Sequence, residues 1–418
     1  MNKVCKIRFY PTNYQIKLIN NTLGCCRFIN NKYIEYNKSE YSKCNKFIGA
    51  YEFDKILNKL KKVNDDYKWI NNYSTKAIKA AEQDVEKNYK RFFKGLGGYP
   101  KFISRKRLTK ESFYFIKDNI HFDTYSKYII SIPILGKIRI LQKDYLPDIF
   151  SISSGRVIKD HNKYYVMFIY TYIPNKLHNK NKDLHIGIDL GIKNYASIYL
   201  SNGNKYYMKH YKDDTKYKEI KNKIIKLQQV ISYKAKINYG RLLNKYLDNH
   251  NGEEPNENYK NIMKGESYNT SNIRKLNKRI SRLYDKLHNI RIDYINKLVY
   301  TLVARTKPSS ITIEDLSVSN MLQNDNTSKL HEQLQDSMMY YFRQCITNKC
   351  LEYNIELRIA NRLYASSKIC SNCGHKKKGL KLTDRIYRCT ACGYEEDRDM
   401  NAVINLCNLK KKYYEVII

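Results

Sequence analysis

The chain has 418 residues, enough for two or three domains with substantial cores, and its 77 Lys+Arg against 40 Asp+Glu give a formal net charge of +37 at pH 7. An excess of that size, spread along the chain, goes beyond what solubility requires and points to a polyanionic partner. No apolar run approaches a membrane span and the N-terminus shows no signal-peptide pattern, so the expectation is a soluble, intracellular protein, cytoplasmic and nucleoid-associated, or nuclear in a eukaryotic host.

In chain order, Val4 to Tyr10 predicts a short strand stopped by Pro11. Asn13 to Asn37 predicts a helix, with Ile16, Ile19, Leu23 and Phe28 on its apolar face. Helical pattern continues to about Phe93, where Gly95, Gly97, Gly98 and Pro100 break it. From Phe102 to Tyr172 short alternating runs (Ser112 to Phe115, Ile129 to Ile134, Lys137 to Ile140, Tyr164 to Tyr170) predict a small β-barrel or sheet. Pro174 to Asp183 is expected to be a polar linker.

Asp189 follows an apolar run in Ile186-Gly187-Ile188-Asp189-Leu190-Gly191, and Glu314 follows the alternation Ser309-Ser310-Ile311-Thr312-Ile313. Both read as carboxylates at strand ends. Between them, Tyr217, Ile220, Ile224, Leu227 and Ile231 step by three and four, as do Ile273, Leu276, Ile280, Leu283, Leu287 and Ile290. These predict a helical hairpin with lysine- and arginine-rich outer faces, turned either to nucleic acid or to solvent. Asp399 opens a third setting, the amphipathic helix start Asp399-Met400-Asn401-Ala402-Val403-Ile404, where a carboxylate suits the free N–H groups of the first turn. Any one acidic residue at an element end is ordinarily solvated or capping; three gathered from distant segments would make a divalent-metal site. Hard Mg²⁺ takes oxygen ligands, and two such ions about 3.5–4 Å apart serve phosphodiester hydrolysis.

Cys370, Cys373, Cys389 and Cys392 form C-x2-C, fifteen residues, C-x2-C, a spacing that reads as tetrahedral Zn²⁺, with Gly374 and Gly393 placed for tight knuckle turns. Cys5, Cys25, Cys26, Cys44, Cys345, Cys350 and Cys407 lack paired spacing and are expected to be small buried hydrophobes of a reducing compartment. The 40 tyrosines offer faces for base stacking, although richness in Lys, Asn, Ile and Tyr also fits an AT-rich genome.

The order strand with Asp, long helices, strand with Glu, helix and strand, then helix with Asp is similar to the ribonuclease-H-like layout of a RuvC nuclease domain. Nearly the whole chain resembles the TnpB (OrfB) family, the transposon-encoded RNA-guided nucleases ancestral to type V CRISPR effectors. The resemblance rests on Phe9-Tyr10-Pro11-Thr12 with Gln15, Leu23-Gly24, Arg27-Phe28-Ile29-Asn30-Asn31, Tyr89-Lys90-Arg91-Phe92-Phe93 and Tyr99-Pro100-Lys101-Phe102. It rests equally on Ser319-Asn320-Met321 with Asp336, on Ser366 to Gly374, and on Asp397-Arg398-Asp399-Met400-Asn401-Ala402, and departs in the lysine-rich 235–270 connector and the tail after Lys412.

The resemblance implies a multidomain α/β protein. Residues 1–12 and 99–175 would form a WED-like β-barrel carrying a helical REC lobe (13–98). A RuvC domain (183–418) would contain the hairpin (212–300) and an inserted zinc ribbon (366–396). It further implies a monomer bound to guide RNA, cutting double-stranded target DNA beside a short motif with Asp189, Glu314 and Asp399 as Mg²⁺ ligands. Thr75, Lys76 and Lys79 lie where the family reads that motif; a solvated helix face is the competing reading. A nuclease-dead RNA-guided repressor would be expected to lack one of the carboxylates, and the DNA-strand transferase of such transposons needs a His-hydrophobe-His pair that the chain does not have. A compact type V CRISPR effector shares triad and ribbon and remains the alternative.

Overall fold

The computed structural model describes residues 2–105, 108, 110–116, 128–141, 151–171, 181–315, 336–362, 364–380 and 384–417. They divide into two compact units, 1–173 and 174–418. The Ser319-Asn320-Met321 block and residues 174–180 of the expected linker lie outside the described residues. No described helix is long and apolar enough to cross a membrane.

The first unit pairs an antiparallel sheet with a helical layer. Strands β1 (Asn2–Tyr10), β2 (Lys110–Ile116), β3 (Ile129–Ile132), β4 (Gly136–Ile140), β5 (Ser151–Asp160) and β6 (Lys163–Thr171) lie in the order β2-β5-β6-β1-β4-β3. Alternation explains the burial: Cys5, Ile7 and Phe9 of β1 turn inward with Phe113, Phe115, Val166 and Phe168. The helices are α1 (Asn13–Cys44), α2 (Ala50–Val63), α3 (Asp65–Lys68) and α4 (Thr75–Phe93). Ile19, Leu23 and Cys26 of α1, with Ala77 and Ala81 of α4, close the sheet's core.

Several residues of the opening signature hold this unit together. Thr12 caps α1 in a capping box with Gln15, and the Gln15 amide donates to the carbonyls of Leu135 (2.9 Å) and Lys137 (2.8 Å), fixing the helix start on the β3–β4 turn. Asn31 both donates to and accepts from the Ile103 backbone, at 3.0 and 2.7 Å. Helix α1 runs seven residues beyond the expected Asn37. Residues 38–44 carry no apolar period, so the end is set locally by Asn45 in the left-handed region, whose N–H bonds Tyr41 O at 3.0 Å. Cys44 is exposed there and Cys345 is half-buried, which corrects the expectation of burial for those two; Cys5, Cys25, Cys26, Cys350 and Cys407 are buried.

The second unit is built on a mixed sheet. Its strands are β7 (Asn181–Leu190), β8 (Asn194–Leu200), β9 (Lys205–Lys209), β10 (Pro308–Glu314), β11 (Glu356–Ala360) and β14 (Tyr414–Val416), in the order β14-β11-β10-β7-β8-β9. Strands β7, β8 and β9 form an antiparallel meander, β10 and β11 join β7 in parallel, and β14 closes the edge antiparallel to β11. The long crossover from β9 to β10 holds α5 (Thr215–Asn249), α6 (Glu257–Ser267) and α7 (Ser271–Tyr300). Ile273, Ile280 and Leu287 recur every seven residues on α7, and are buried with Tyr217, Ile220, Ile224 and Ile231 of α5, the packing expected of an antiparallel hairpin. Helix α8 (Met339–Tyr353) leads into β11, and a small ladder of β12 (Ile386–Arg388) and β13 (Glu395–Asp397) precedes α9 (Arg398–Cys407).

The two faces of β7 and β10 differ in kind. Ile186, Ile188, Ile311 and Ile313 face the apolar core shared with α5, α7 and α8. Gly187, Asp189, Ser310, Thr312 and Glu314 alternate with them on the other face, which α9 covers. Gly187 permits this approach: a Cβ there would lie 2.2 Å from the Val403 carbonyl and 2.7 Å from the Cys407 amide, both backbone atoms of α9. Any side chain at 187 would push α9 off the strand that carries Asp189.

Candidate functional site

Asp189 sits one residue from the end of β7 and Glu314 ends β10. These strands are parallel neighbours in the register Ile188 to Ile313, so one step further along they present the two carboxylates side by side at their C-terminal ends. Asp399 lies in the first turn of α9 on the same face. The fold therefore brings the three expected carboxylates, 125 and 85 residues apart in the chain, to the same end of the sheet and leaves all three half-buried, though their oxygens are not grouped within the 4.8 Å that the four cysteine sulfurs keep.

Their electrostatics follow from that crowding. Burial first, then the charges of Glu314 and Asp399, push the Asp189 carboxyl well above its ordinary range, against the pull of Arg398 and the Leu190 N–H. Glu314 is raised by burial and by Asp399, while a hydrogen bond from the Ser366 hydroxyl pulls it back. Carboxyls raised by burial and by neighbouring carboxylate charge, as Asp189 and Glu314 are, suit a hard divalent ion. Arg398 supplies part of the missing charge: its Nε and one terminal nitrogen donate to Asp399 Oδ1 at 3.2 and 3.1 Å.

Asp397 has a different task. Its side chain caps α9, accepting from the N–H groups of Asp399 and Met400, each at 3.0 Å. Asp397 thus serves the helix start, while Arg398 pairs with Asp399.

The raised carboxyls carry a stability cost in the metal-free protein. Because Asp189 binds its proton more tightly folded than unfolded, stability falls as pH rises from the ordinary carboxylate range through the raised value. Asp189→Asn is therefore expected to raise Tm in EDTA at pH 8 by a few degrees and to change it little below the ordinary carboxylate range. Wild-type Tm at pH 8 should rise on adding Mg²⁺, and that of the variant much less. Thermal melts across pH with and without Mg²⁺ check this; an Asp189→Asn protein less stable than wild type in EDTA at pH 8 contradicts it.

The four cysteines meet as their spacing requires. All four sulfurs lie within 4.8 Å of one another, with Cys370 to Cys392 at 3.7 Å and Cys373 to Cys389 at 3.6 Å. A disulfide would need about 2.05 Å, whereas sulfurs about 2.3 Å from a tetrahedral Zn²⁺ lie about 3.8 Å apart. The two knuckles repeat one another. Gly374 N bonds Cys370 O at 2.9 Å and Gly393 N bonds Cys389 O at 3.2 Å, and both glycines hold positive φ (+77° and +72°) that other residues rarely adopt. The Tyr394 N–H, ahead of Cys373, draws the Cys392 thiol down to about 6, and the Cys392 N–H leads in lowering Cys389. Thiols held so are ready to bind metal as thiolates.

Thr75, Lys76 and Lys79 belong to the first unit, exposed on the first turn of α4 behind the Ser74 cap. Lys79 is in part committed, with Nζ 3.1 Å from the nearly buried Asp54 carboxylate of α2.

Residues 340–406, which span the cysteine cluster and Asp399, match the family model described as Cas12f1-like, TNB domain. Residues 1–46 match a helix-turn-helix domain model of the OrfB type; in the structure they form β1 and the single helix α1. A Streptomyces pristinaespiralis protein provisionally named RNA-guided DNA endonuclease is 25% identical over 97% of this chain and 89% of its own length. The Escherichia coli K12 protein InsQ, provisionally named in the same way, is 23% identical over 96% and 90%. In these matches the chain is similar to the TnpB (OrfB) family. A TnpB-like protein of Acanthamoeba polyphaga mimivirus is 27% identical over 59% of the chain and 41% of its own length. A solved mini-RNA-guided endonuclease, CRISPR-Cas_phi3, aligns over 98% of this chain and 92% of its own at 11% identity, with a TM-score of 0.47.

Three contributors to the site had no role read from the sequence, although Ser366 and Arg398 stand in the quoted signature blocks: the Ser366 hydroxyl on Glu314, the Arg398 pair with Asp399, and the bare backbone of Gly187. Gly187 alone carried a signal, a glycine inside an apolar strand.

Proposed function

We propose that the protein is an RNA-guided, divalent-metal-dependent DNA endonuclease. In this reading the second unit is a ribonuclease-H-like RuvC domain with an inserted zinc ribbon, and the first is a WED-like sheet carrying a helical REC lobe. The observation that carries the proposal is the convergence of Asp189, Glu314 and Asp399 at the ends of two parallel strands and one helix start, with the Asp189 and Glu314 carboxyls raised by burial and by neighbouring carboxylate charge.

Asp189, Glu314 and Asp399 would hold Mg²⁺, which when bound activates water and stabilises the leaving oxygen of a phosphodiester. The chain's own residues then have separable tasks. The three carboxylates place half-buried charge at one end of the sheet, Arg398 orients Asp399, and Asp397 fixes the start of α9 from which Asp399 projects. Zn²⁺ in the four-cysteine cluster would have a structural role, since four protein thiolates leave no position for a substrate. The charge of +37 suits a guide RNA and a target duplex, with Thr75, Lys76 and Lys79 proposed as the contacts beside the target. Guide pairing would then choose the sequence and the single carboxylate centre would cut both strands in turn, in a monomeric ribonucleoprotein.

The test is cleavage of a matched DNA duplex by purified protein, with and without its copurifying RNA and with and without Mg²⁺. Cutting is expected only when RNA and metal are both present. Efficient sequence-specific cutting in EDTA, or without RNA, overturns the proposal. Sequencing the bound RNA separates the remaining alternative: a transcript overlapping the 3′ end of the gene fits a transposon protein, and a repeat-derived RNA fits a compact CRISPR effector.

A further inference from the structure

Between β11 and the first zinc knuckle runs a segment, Ser366 to Ser371, whose polar groups are fixed at both ends. Ser366 is 4% exposed, and its hydroxyl donates to Glu314 Oε1. Its carbonyl accepts from the Asn405 side-chain amide at 2.8 Å, and the same amide reaches Ile369 O at 2.7 Å. Asn401, one turn earlier on the same face of α9, also donates to Ile369 O at 2.7 Å and accepts from Ser371 N at 2.9 Å. Asn401 is fully buried and Asn405 is 8% exposed. Burying two amides is costly unless they are hydrogen-bonded, and here both amides bond the backbone of this one segment. Cys370, an expected zinc ligand, lies inside it.

Helix α9 thus does two things at once. Its first turn carries Asp399, and its next two turns grip the strand of chain that holds a hydroxyl against Glu314. Glu314 ends a strand and its side chain would otherwise sweep several rotamers, so a fixed donor on Oε1 leaves the other oxygen turned in one direction.

We propose that Ser366 is a positioning residue for Glu314, clamped in place by Asn401 and Asn405, so that the segment leading into the zinc knuckle sets the geometry of the carboxylate centre. This rests on the reading of Asp189, Glu314 and Asp399 as the metal ligands. The hydroxyl acts on the carboxylate and does not itself touch the metal.

The experiment uses the full-length ribonucleoprotein and titrates Mn²⁺ by electron paramagnetic resonance, beside the Mg²⁺ dependence of cleavage, for Ser366→Ala, Ser366→Thr and Glu314→Ala. Ser366→Ala is expected to weaken Mn²⁺ binding by roughly 10-fold, in the range seen when a partner of a metal ligand is lost, and to shift the Mg²⁺ requirement of cleavage upward by a similar factor. Ser366→Thr keeps the hydroxyl and should recover most of the loss, while guide-RNA binding stays unchanged in both. A Ser366→Ala protein with wild-type Mn²⁺ affinity and Mg²⁺ dependence overturns the inference, whatever its melting temperature. If Glu314→Ala also binds Mn²⁺ and cleaves as wild type, the reading of the carboxylate centre itself has failed, and Ser366 has nothing to position.

Discussion

Asp399→Ala is expected to abolish cleavage while leaving guide-RNA and target binding intact, and Asp189→Ala and Glu314→Ala should do the same. A carboxylate that holds a catalytic metal supports several kcal/mol of transition-state charge stabilisation, so its loss should cost on the order of 10³-fold or more in rate. Binding should survive because the three groups sit at strand and helix ends and no apolar core depends on them. Asp397 provides the contrast. Its two hydrogen bonds go to backbone N–H groups of α9, so Asp397→Ala removes a helix cap, about 1 kcal/mol, and should retain much of the activity. Residues two apart at a helix start point in different directions, which keeps Asp397 and Asp399 from sharing one metal centre. Single-turnover cleavage and filter binding on both variants decide it: an inactive Asp397→Ala beside an active Asp399→Ala reverses the assignment.

The parts of this site that were legible in the sequence are those governed by near neighbours. Cys370, Cys373, Cys389 and Cys392 declare themselves because a knuckle is a local turn, and Gly374 and Gly393 adopt the positive φ that the turn requires. Asp189 and Glu314 could be placed at strand ends from flanking apolar residues, and the heptad spacing of Ile273, Ile280 and Leu287 declared the α5–α7 hairpin. Register is not local. That Ile188 pairs with Ile313, bringing Asp189 beside Glu314, depends on strands separated by three helices, and only the family resemblance anticipated it. The choice of Arg398 for Asp399, and the reach of Ser366 to Glu314 across 52 positions, have no periodic or compositional signature. Residues 38–44 of α1 fell within the region expected to be helical, but without an apolar face nothing marked them as part of the same helix, and a left-handed Asn45 set its end.

Removing zinc is expected to have the other large effect. In this cluster the cysteines are the local core: among the described residues, buried Tyr387 packs there with half-buried Leu380 and Tyr394, and β12 and β13 are three residues each. So little apolar surface cannot offset the entropy of ordering the ribbon, so the metal must supply the stability; structural zinc sites bind with about 10–16 kcal/mol near neutral pH. Cys373→Ser should therefore lower zinc content below one equivalent and melt the ribbon, read as rapid amide exchange confined to about residues 370–397, while the helical hairpin of α5 and α7 stays protected. Loss should not stop at the ribbon. Cys370 lies in the segment that Asn401 and Asn405 hold and that delivers Ser366 to Glu314, and α9, which carries Asp399 in its first turn, starts directly after β13. Cleavage should accordingly fall with zinc content even though no cysteine touches the carboxylates, whereas guide-RNA contacts made by the first unit should persist. A Cys373→Ser protein with a full equivalent of zinc and full activity would exclude a four-cysteine site; one that loses zinc yet cleaves at the wild-type rate and Mg²⁺ dependence would show that the ribbon and the carboxylate centre are mechanically independent.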